Sequence, residues 1–190
     1  MLKHTCGMLG VIEVERVCKA TGERVATSRL NTLTDNMFDV LLELLGQLAT
    51  TTPSNERLHS IWIETDNPTI PDVLGTDDGP DAGSTVLIQY VFEDVDKTFA
   101  TVNTSIGPLA AIACAVSIDG DTYDGSTVYA AGLYTRGTSS TPPNPALWTP
   151  GDAGVRLIAR QLVGPLPIVS GFVFNLTWKI AFGRLPEELL

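Results

Sequence analysis

Apolar and polar residues alternate with a period of two along most of this chain, which predicts a protein built mainly of β-strands. The clearest run is FVFNLTWKIAF at residues 172–182, where Phe172, Phe174, Leu176, Trp178, Ile180 and Phe182 share one side. We expect that side to face the core, with Trp178 as a core residue. Further strand runs are TVLIQYVFEDV, KTFATVNTS, VYAAGLYTR and VRLIARQLV. They lack the strand–helix alternation of a parallel sheet, so antiparallel pairing is favoured.

Turn and composition signals refine this strand pattern. GVIEVERVCKATGERVATSRLN predicts two strands joined by a turn at 19–22, where Gly22 can adopt a positive φ. PLAAIACAVSID, rich in Ala and β-branched residues, predicts a strand buried on both faces. The Pro-Leu-Pro sequence at 165–167 predicts a break before the last strand.

One segment, TDNMFDVLLELLGQL, has helical spacing of apolar residues and predicts an amphipathic helix over about 35–48. Runs of Pro, Gly and Asp predict long loops at about 66–84 and 136–154. We therefore expect residues 1–190 to form a single antiparallel β-sandwich domain with one amphipathic helix.

Composition narrows the possible partners. The formal net charge of −10, with only 12 Lys and Arg residues, disfavours nucleic acid, because phosphate contacts require clustered basic side chains. No apolar run approaches the roughly 20 residues of a membrane-spanning helix, so we expect no membrane partner. Three cysteines and the lack of an apolar signal segment favour a chain that folds in the reducing cytosol where it is made.

Candidate catalytic and metal groups are sparse. The two histidines, His4 and His59, have no Cys or carboxylate at ligand spacing, and neither a G-x-S-x-G elbow nor a Gly-rich phosphate loop occurs. We therefore expect no enzyme activity, no catalytic residue and no cofactor.

The segment SIDGDTYDGST carries the one candidate cation site. Asp119, Asp121 and Asp124 approach the spacing of a calcium loop, but the third Asp is displaced by one position and Ala130 stands where a bidentate Glu is required. Asp and Gly also dominate turns, so a hairpin turn is the main interpretation and a weak metal site the alternative.

Interaction candidates lie in the second long loop and at the C-terminus. Trp148 and Leu147 lie between prolines that stiffen the loop, and an aromatic side chain held there loses little freedom on binding. The alternative is that Trp148 folds back on its own domain. The predicted contact residues are Pro142, Pro143, Leu147, Trp148, Leu189 and Leu190.

Taken in order, several short segments resemble a family of small structural proteins from tailed bacteriophages. They are VCKATGERV, NTLTDNMFDVLLELL, IWIET, AAGLYTR, RLIARQ and FNLTWKIAF. The resemblance covers nearly the whole chain and depends on the shared order, because each segment alone is short.

This resemblance implies a β-sandwich virion protein present in many copies, made in the host cytoplasm, whose partners are itself and other virion proteins. The expected function is that of a tail, baseplate, neck or fibre-adaptor component. One alternative is a capsid decoration protein. Another is a carbohydrate-binding sandwich that contacts the host, with Trp62, Trp148 or Tyr134 as stacking platforms.

Overall fold

The computed structural model describes residues 5–31, 33, 37, 57–65, 86–91, 97–136 and 155–185. These residues lie almost entirely in strands and the turns that join them. The strands are β1 (Thr5–Cys18), β2 (Arg24–Asn31), β3 (Arg57–Glu64), β4 (Val86–Val91), β5 (Lys97–Thr104), β6 (Gly107–Asp119), β7 (Thr127–Arg136), β8 (Val155–Pro167) and β9 (Phe172–Leu185). The predicted helix and the two predicted long loops lie outside the described residues, apart from Met37 and Arg136.

The strands form two antiparallel sheets, which confirms the prediction of a mainly β, antiparallel protein. A five-stranded sheet has the order β2-β1-β9-β6-β5, and a four-stranded sheet has the order β4-β3-β7-β8. The chain divides into two compact units, one around each sheet. The first unit comprises residues 1–31, 93–125 and 168–190, and the second comprises residues 32–92 and 126–167.

The first unit begins with the predicted hairpin. β1 and β2 pair from Gly10 with Asn31 to Val17 with Arg24. The turn between them contains Gly22 at φ 71°, a conformation that a residue without Cβ adopts at no steric cost. β1 then pairs along its whole length with β9, which places the last strand in the middle of the sheet.

The apolar surface of the five-stranded sheet changes side along the strands. At one end the buried side chains lie on the face that carries Trp178, which is 0% exposed between its neighbours Ile12 and Cys114. Lys179 is paired across the sheet with Val11 and Ala113, and from these two residues onward the buried side chains lie on the opposite face. There a second cluster contains Leu9, Val11, Leu109, Ala111, Ala181 and Leu185. We call the two sides the Trp178 face and the Lys179 face.

This change of side corrects two predictions. β6 is not buried on both faces throughout: Leu109, Ala111 and Ala113 are buried on the Lys179 face, and Cys114, Val116 and Ile118 on the Trp178 face. In β9 the predicted apolar side is buried from Phe174 to Ile180, but Phe182 is 56% exposed and Phe172 is half-buried. Trp178 is confirmed as a core residue.

In the four-stranded sheet, burial extends to both faces of the central strands. Ile61 and Ile63 are buried on one face of β3, and Ser60, Trp62 and Glu64 on the other. Trp62, Tyr134 and Leu157 form a compact cluster, with the two ring centroids 4.6 Å apart. The indole Nε1 of Trp62 donates to Ser60 Oγ at 3.1 Å, so this buried polar group is satisfied.

The predicted Pro-Leu-Pro break is wrong, because β8 continues through it to Pro167. The pairing of β7 with β8 shifts register between Val128 and Ala130, and this irregularity accommodates the Gly164–Pro165 segment. β8 is the last strand of its sheet among the described residues, and an edge strand tolerates Pro because one side of it makes no ladder bonds. A Cβ on Gly164 would lie 1.9 Å from the carbonyl oxygen of Val128, so only glycine fits there.

A buried ion pair crosses the middle of the four-stranded sheet. Arg160 on β8 donates from Nε and Nη2 to the two carboxylate oxygens of Glu64 on β3, at 3.0 and 2.7 Å. Both side chains are essentially inaccessible to solvent. They meet over β7, where Gly132 stands beside Arg160 and Ala130 beside Glu64. A Cβ on Gly132 would lie 2.8 Å from the Tyr134 ring, so the small residue there makes room for the neighbouring cluster of Trp62, Tyr134 and Leu157.

Breaking this pair should strongly destabilise the protein. Glu64→Gln leaves the guanidinium buried without its counter-charge, and we expect a loss of about 3–5 kcal/mol in the free energy of unfolding. Chemical denaturation followed by circular dichroism measures it. The double variant Glu64→Leu/Arg160→Met removes both charges and should lose less. A loss below about 1 kcal/mol for the single variant would contradict this account.

The change of side predicts opposite outcomes for two aromatic residues on one face of β9. Trp178→Ala should cost about 3–5 kcal/mol, as for other large core aromatics, whereas Phe182→Ala should change the free energy of unfolding by less than about 1 kcal/mol. Both are measured by denaturant unfolding of the purified variants. Similar losses from the two substitutions would show that Phe182 is also a core residue.

Candidate functional site

The three aspartates predicted as a weak cation site lie at the end of β6 and in the turn after it, and a lysine side chain binds two of them. Lys19 Nζ is 2.5 Å from Asp119 Oδ1 and 2.6 Å from Asp121 Oδ2. The ammonium group thus stands between the two carboxylates. No group of three or more His, Cys, Asp or Glu side chains suited to a metal ion is present in the described part of the chain.

Hydrogen bonds from the turn before β9 occupy two further carboxylate oxygens. Asp121 Oδ1 accepts from Ser170 Oγ and from the Gly171 amide, both at 2.7 Å, and Asp124 Oδ1 accepts from the Ser170 amide at 2.9 Å. The Lys19 amide donates to the Gly171 carbonyl at 2.9 Å. Three turns of the first unit are therefore joined at one end of the sheet. The prediction of a turn at these aspartates is confirmed, but the turn is not a hairpin, because the strands that it joins, β6 and β7, belong to different sheets. We call this group the aspartate cluster.

Charge pairing in the aspartate cluster shifts the ionisation of its members. The hydrogen bond from Lys19, followed by that from Ser170, holds the pKa of Asp121 well below its usual range. The Lys19 hydrogen bond also lowers the pKa of Asp119. In turn, the two aspartates raise the pKa of Lys19. These shifts keep Lys19, Asp119 and Asp121 charged at neutral pH, so the ion pairs that join the turns persist there.

The other predicted contact residues are not brought together by the described structure. Pro142, Pro143, Leu147, Trp148, Leu189 and Leu190 lie outside the described residues. Trp62 and Tyr134, proposed as platforms for sugar stacking, are buried in the second unit, so that role is wrong for them.

On the Lys179 face, the open end of the five-stranded sheet is polar. Glu13, Glu15, Ala26, Thr27, Ser28, Asn175 and Thr177 line a cleft of about 380 Å³. Its groups bind one another: Lys179 Nζ lies 2.6 Å from Glu13, and Asn175 donates to Glu15 at 3.0 Å and accepts from Ser117 at 3.0 Å. The bond from Asn175, aided by the charge of Arg24, lowers the pKa of Glu15.

On the Trp178 face, the open end of the same sheet is apolar instead. Phe99 on β5 is 96% exposed and stands directly opposite Ile112 on β6, which is 44% exposed. Ile112 is in turn opposite Ile180 on β9, and Phe182 lies two residues further on that strand. Directly opposite side chains are about 5 Å apart, so these residues adjoin one another. We call Phe99, Ile112 and Phe182 the edge patch.

The segment that carries most of the edge patch is also uncharged. No Asp, Glu, Lys or Arg occurs from Thr98 to Ile118, although charged residues make up 18% of the chain and its net charge is −10. Within the described residues, β5 pairs with β6 alone, so this neutral hairpin forms an edge of the sheet. Natural edge strands are usually protected by charges, prolines or bulges, and the pairing of β5 with β6 is continuous.

The opposite edge strand, β2, differs in its charge and in the placement of its exposed apolar residues, although its pairing with β1 is also continuous. It contains Arg24 and Arg29. Its exposed apolar residues, Val25 and Leu30, lie on opposite faces of the sheet because their positions differ by an odd number. Single exposed apolar side chains are normal, whereas adjacent ones mark a contact surface. The edge patch is therefore the candidate functional site.

The edge patch was not predicted from the sequence, although one signal was present. Phe99 shares its side of KTFATVNT with Lys97, Thr101 and Asn103, so it is a large apolar residue on the polar side of a strand. The uncharged run from Thr98 to Ile118 is equally visible. Ile112 and Phe182 gave no such signal, because their exposure follows from the change of side in the sheet.

Comparisons of the chain with protein-family models, with curated proteins and with solved structures found no match. In the described part of the chain, no helix has the length and apolar character required to cross a membrane.

The aspartate cluster predicts acid sensitivity. Because the pKa values of Asp119 and Asp121 are lowered in the folded state, their stabilising effect is complete above the unfolded value of about 3.9 and is lost as pH falls below it. The raised pKa of Lys19 acts at the other limit: its contribution is complete below about 10.4 and is lost at higher pH.

Asp121→Asn should therefore lower the melting temperature at pH 7 and flatten its decline between about pH 4.5 and pH 2. Thermal unfolding monitored by circular dichroism measures both effects. Glu23→Gln, which removes an exposed carboxylate outside the cluster, is the control. Parallel pH profiles for Asp121→Asn and the wild type would contradict the assigned role.

Proposed function

We propose that this chain is a non-enzymatic structural protein of a tailed-bacteriophage virion, which assembles in multiple copies as a tail, baseplate, neck or fibre-adaptor component. It is made in the host cytoplasm and functions in the particle. Its partners are further copies of itself and other virion proteins.

The order of the short segments supports the phage assignment. VCKATGERV covers the turn between β1 and β2, IWIET ends β3, AAGLYTR and RLIARQ lie in the adjacent strands β7 and β8, and FNLTWKIAF lies in β9. The segments that carry the resemblance thus include strands from the interior of both sheets. Residues that specify a fold are expected there, because buried positions accept the fewest substitutions.

The single observation that supports assembly most directly is the edge patch. Full burial of one Phe side chain stabilises a contact by roughly 1.5–3 kcal/mol, so leaving Phe99 and Phe182 in water forgoes several kcal/mol in the isolated chain. At the other end of the same sheet the open face is polar. Exposed apolar residues that adjoin one another at one end of a sheet are typical of a protein–protein contact surface.

The alternatives differ in how well the described residues support them. A capsid decoration protein would use the same edge patch, against a capsid subunit. A carbohydrate-binding protein would use the polar cleft, which offers carboxylate, amide and hydroxyl groups but is lined by no aromatic residue for stacking. The edge patch favours assembly over sugar binding.

Phe99→Glu should abolish or strongly weaken self-association. It removes the most exposed apolar side chain and adds charge to a neutral surface, and we expect at least a tenfold increase in the dissociation constant, equivalent to about 1.4 kcal/mol. Native mass spectrometry and sedimentation velocity across a concentration series measure it. The matched control is Leu30→Glu, which adds the same charge at the opposite edge, where Leu30 is 55% exposed.

Two outcomes would contradict the proposal. One is a wild-type chain that stays monomeric at high concentration and is absent from purified particles of the virus that encodes it. The other is saturable binding to a glycan array that Phe99→Glu leaves unchanged and Asn175→Ala abolishes, since this result would favour the polar cleft as the functional surface.

A further inference from the structure

The free edge of β5 has a defined set of outward-pointing backbone groups. In antiparallel pairs, residues that exchange both hydrogen bonds alternate with residues that exchange none. Asn103 lies opposite Pro108, which has no N–H, so these two residues form a pair that exchanges no hydrogen bonds. Phe99 and Thr101 differ from Asn103 in position by even numbers, so they too exchange no hydrogen bonds with β6. Their N–H and C=O groups therefore point away from β6, toward the open edge.

These outward N–H and C=O groups can form hydrogen bonds with the same groups of a second β5 strand. When two β5 strands run antiparallel around a twofold axis at Ala100, Phe99 of each copy faces Thr101 of the other. Both of these pairs then exchange two main-chain hydrogen bonds. The rings of the two Phe99 residues become diagonal neighbours, about 7–8 Å apart and within contact distance of one another. Centring the pair on Thr101 instead gives three such pairs among Phe99, Thr101 and Asn103 but places the two Phe99 rings about 13 Å apart, and centring it on Phe99 leaves one such pair among these residues. The alignment at Ala100 is therefore the one that combines two doubly bonded pairs with contact between the rings.

Charge favours a second copy over an unrelated partner strand. Two chains of net charge −10 repel at most approaches, and the repulsion is least where neither surface carries acid. The hairpin from Thr98 to Ile118 is such a surface. β5 is also uniform in register along its length, with no bulge that would turn the edge away.

We propose that two copies of this chain join through antiparallel pairing of their β5 strands, which makes one continuous ten-stranded sheet centred on Ala100. The two edge patches then lie side by side on the Trp178 face. The contact is isologous, so the dimer is closed and does not grow into a fibre through this edge. The inference rests on the proposed multi-copy function and specifies the contact between copies.

Disulfide trapping tests the alignment. Ala100 faces its own counterpart in a pair without hydrogen bonds, where the Cα atoms are about 4.5 Å apart, within the range of about 4.4–6.8 Å that a disulfide spans. Ala100→Cys should therefore convert most of the protein to a covalent dimer on mild oxidation, as seen on a non-reducing gel. Thr98→Cys is the matched control, because its counterpart lies four residues along the strand, roughly 13 Å away.

Backbone substitution tests the hydrogen bonds without relying on a new cysteine. Thr101→Pro removes an outward N–H that the fold itself does not use, so the variant should keep the circular dichroism spectrum of the wild type while its dimerisation weakens by about tenfold or more. Thr101→Val keeps the N–H and should dimerise normally. Sedimentation equilibrium measures both.

The results separate this inference from the proposed function. Trapping by Ala100→Cys alone, with weakened dimerisation of Thr101→Pro, supports the β5 contact. Equal trapping of both cysteine variants beyond that of the wild type, or none by Ala100→Cys, would overturn it. If the wild type nevertheless forms oligomers that Phe99→Glu disrupts, assembly through the edge patch stands and only the strand pairing fails. A strictly monomeric wild type would overturn the β5 contact, and the proposed function fails as well if this monomeric chain is also absent from purified particles.

Discussion

The side on which the five-stranded sheet buries its apolar surface changes between the row of Trp178 and the row of Lys179, and this constraint determines what the sheet exposes. In β1 and β6 the change falls at Val11 and Ile12 and at Ala113 and Cys114, which are paired with Lys179 and Trp178 of β9. In β9 it falls two residues later, because Ile180 is still buried on the Trp178 face and Ala181 is buried on the Lys179 face. Each end of the sheet therefore has one buried side and one open side. Neighbouring residues of a strand point to opposite faces, so a strand whose buried side changes needs apolar residues at consecutive positions where the change occurs.

The two open sides differ in chemistry, and this difference is the main functional evidence. One is covered by carboxylate, amide, hydroxyl and ammonium groups that bind one another, so exposure to water costs little. The other carries Phe99 and Ile112, on the uncharged segment from Thr98 to Ile118, and Phe182 on β9. Folding alone does not require the second arrangement, since polar residues at these positions would leave both buried clusters intact. A contact with another protein gives the arrangement a physical reason.

The sequence was sufficient to predict most strands, because a period of two and turn residues are local signals. It predicted the β1–β2 hairpin, the strand FVFNLTWKIAF and the burial of Trp178. It did not predict that Phe182 is exposed. Phe182 points to the same face as Trp178, and whether that face is buried at this position depends on the neighbouring strands.

The contacts that join distant segments left no local pattern at all. Glu64 and Arg160 are 96 residues apart in the sequence, and Lys19 is 100 residues from Asp119. The spacing of residues within SIDGDTYDGST does not indicate that the ammonium group of a distant lysine lies between the carboxylates. The edge patch was not predicted for a different reason: sequence motifs of functional sites consist of polar groups, whereas this surface is apolar.

Amide hydrogen exchange of β5, resolved by NMR, tests the central claim that this edge is a contact surface. The amides of Phe99, Thr101 and Asn103 point outward, and those of Thr98, Ala100 and Val102 pair with β6 and serve as an internal reference. The account predicts that the outward amides exchange slowly at high protein concentration and quickly on dilution, while the inward amides change little. Fast exchange of the outward amides at every concentration would contradict it.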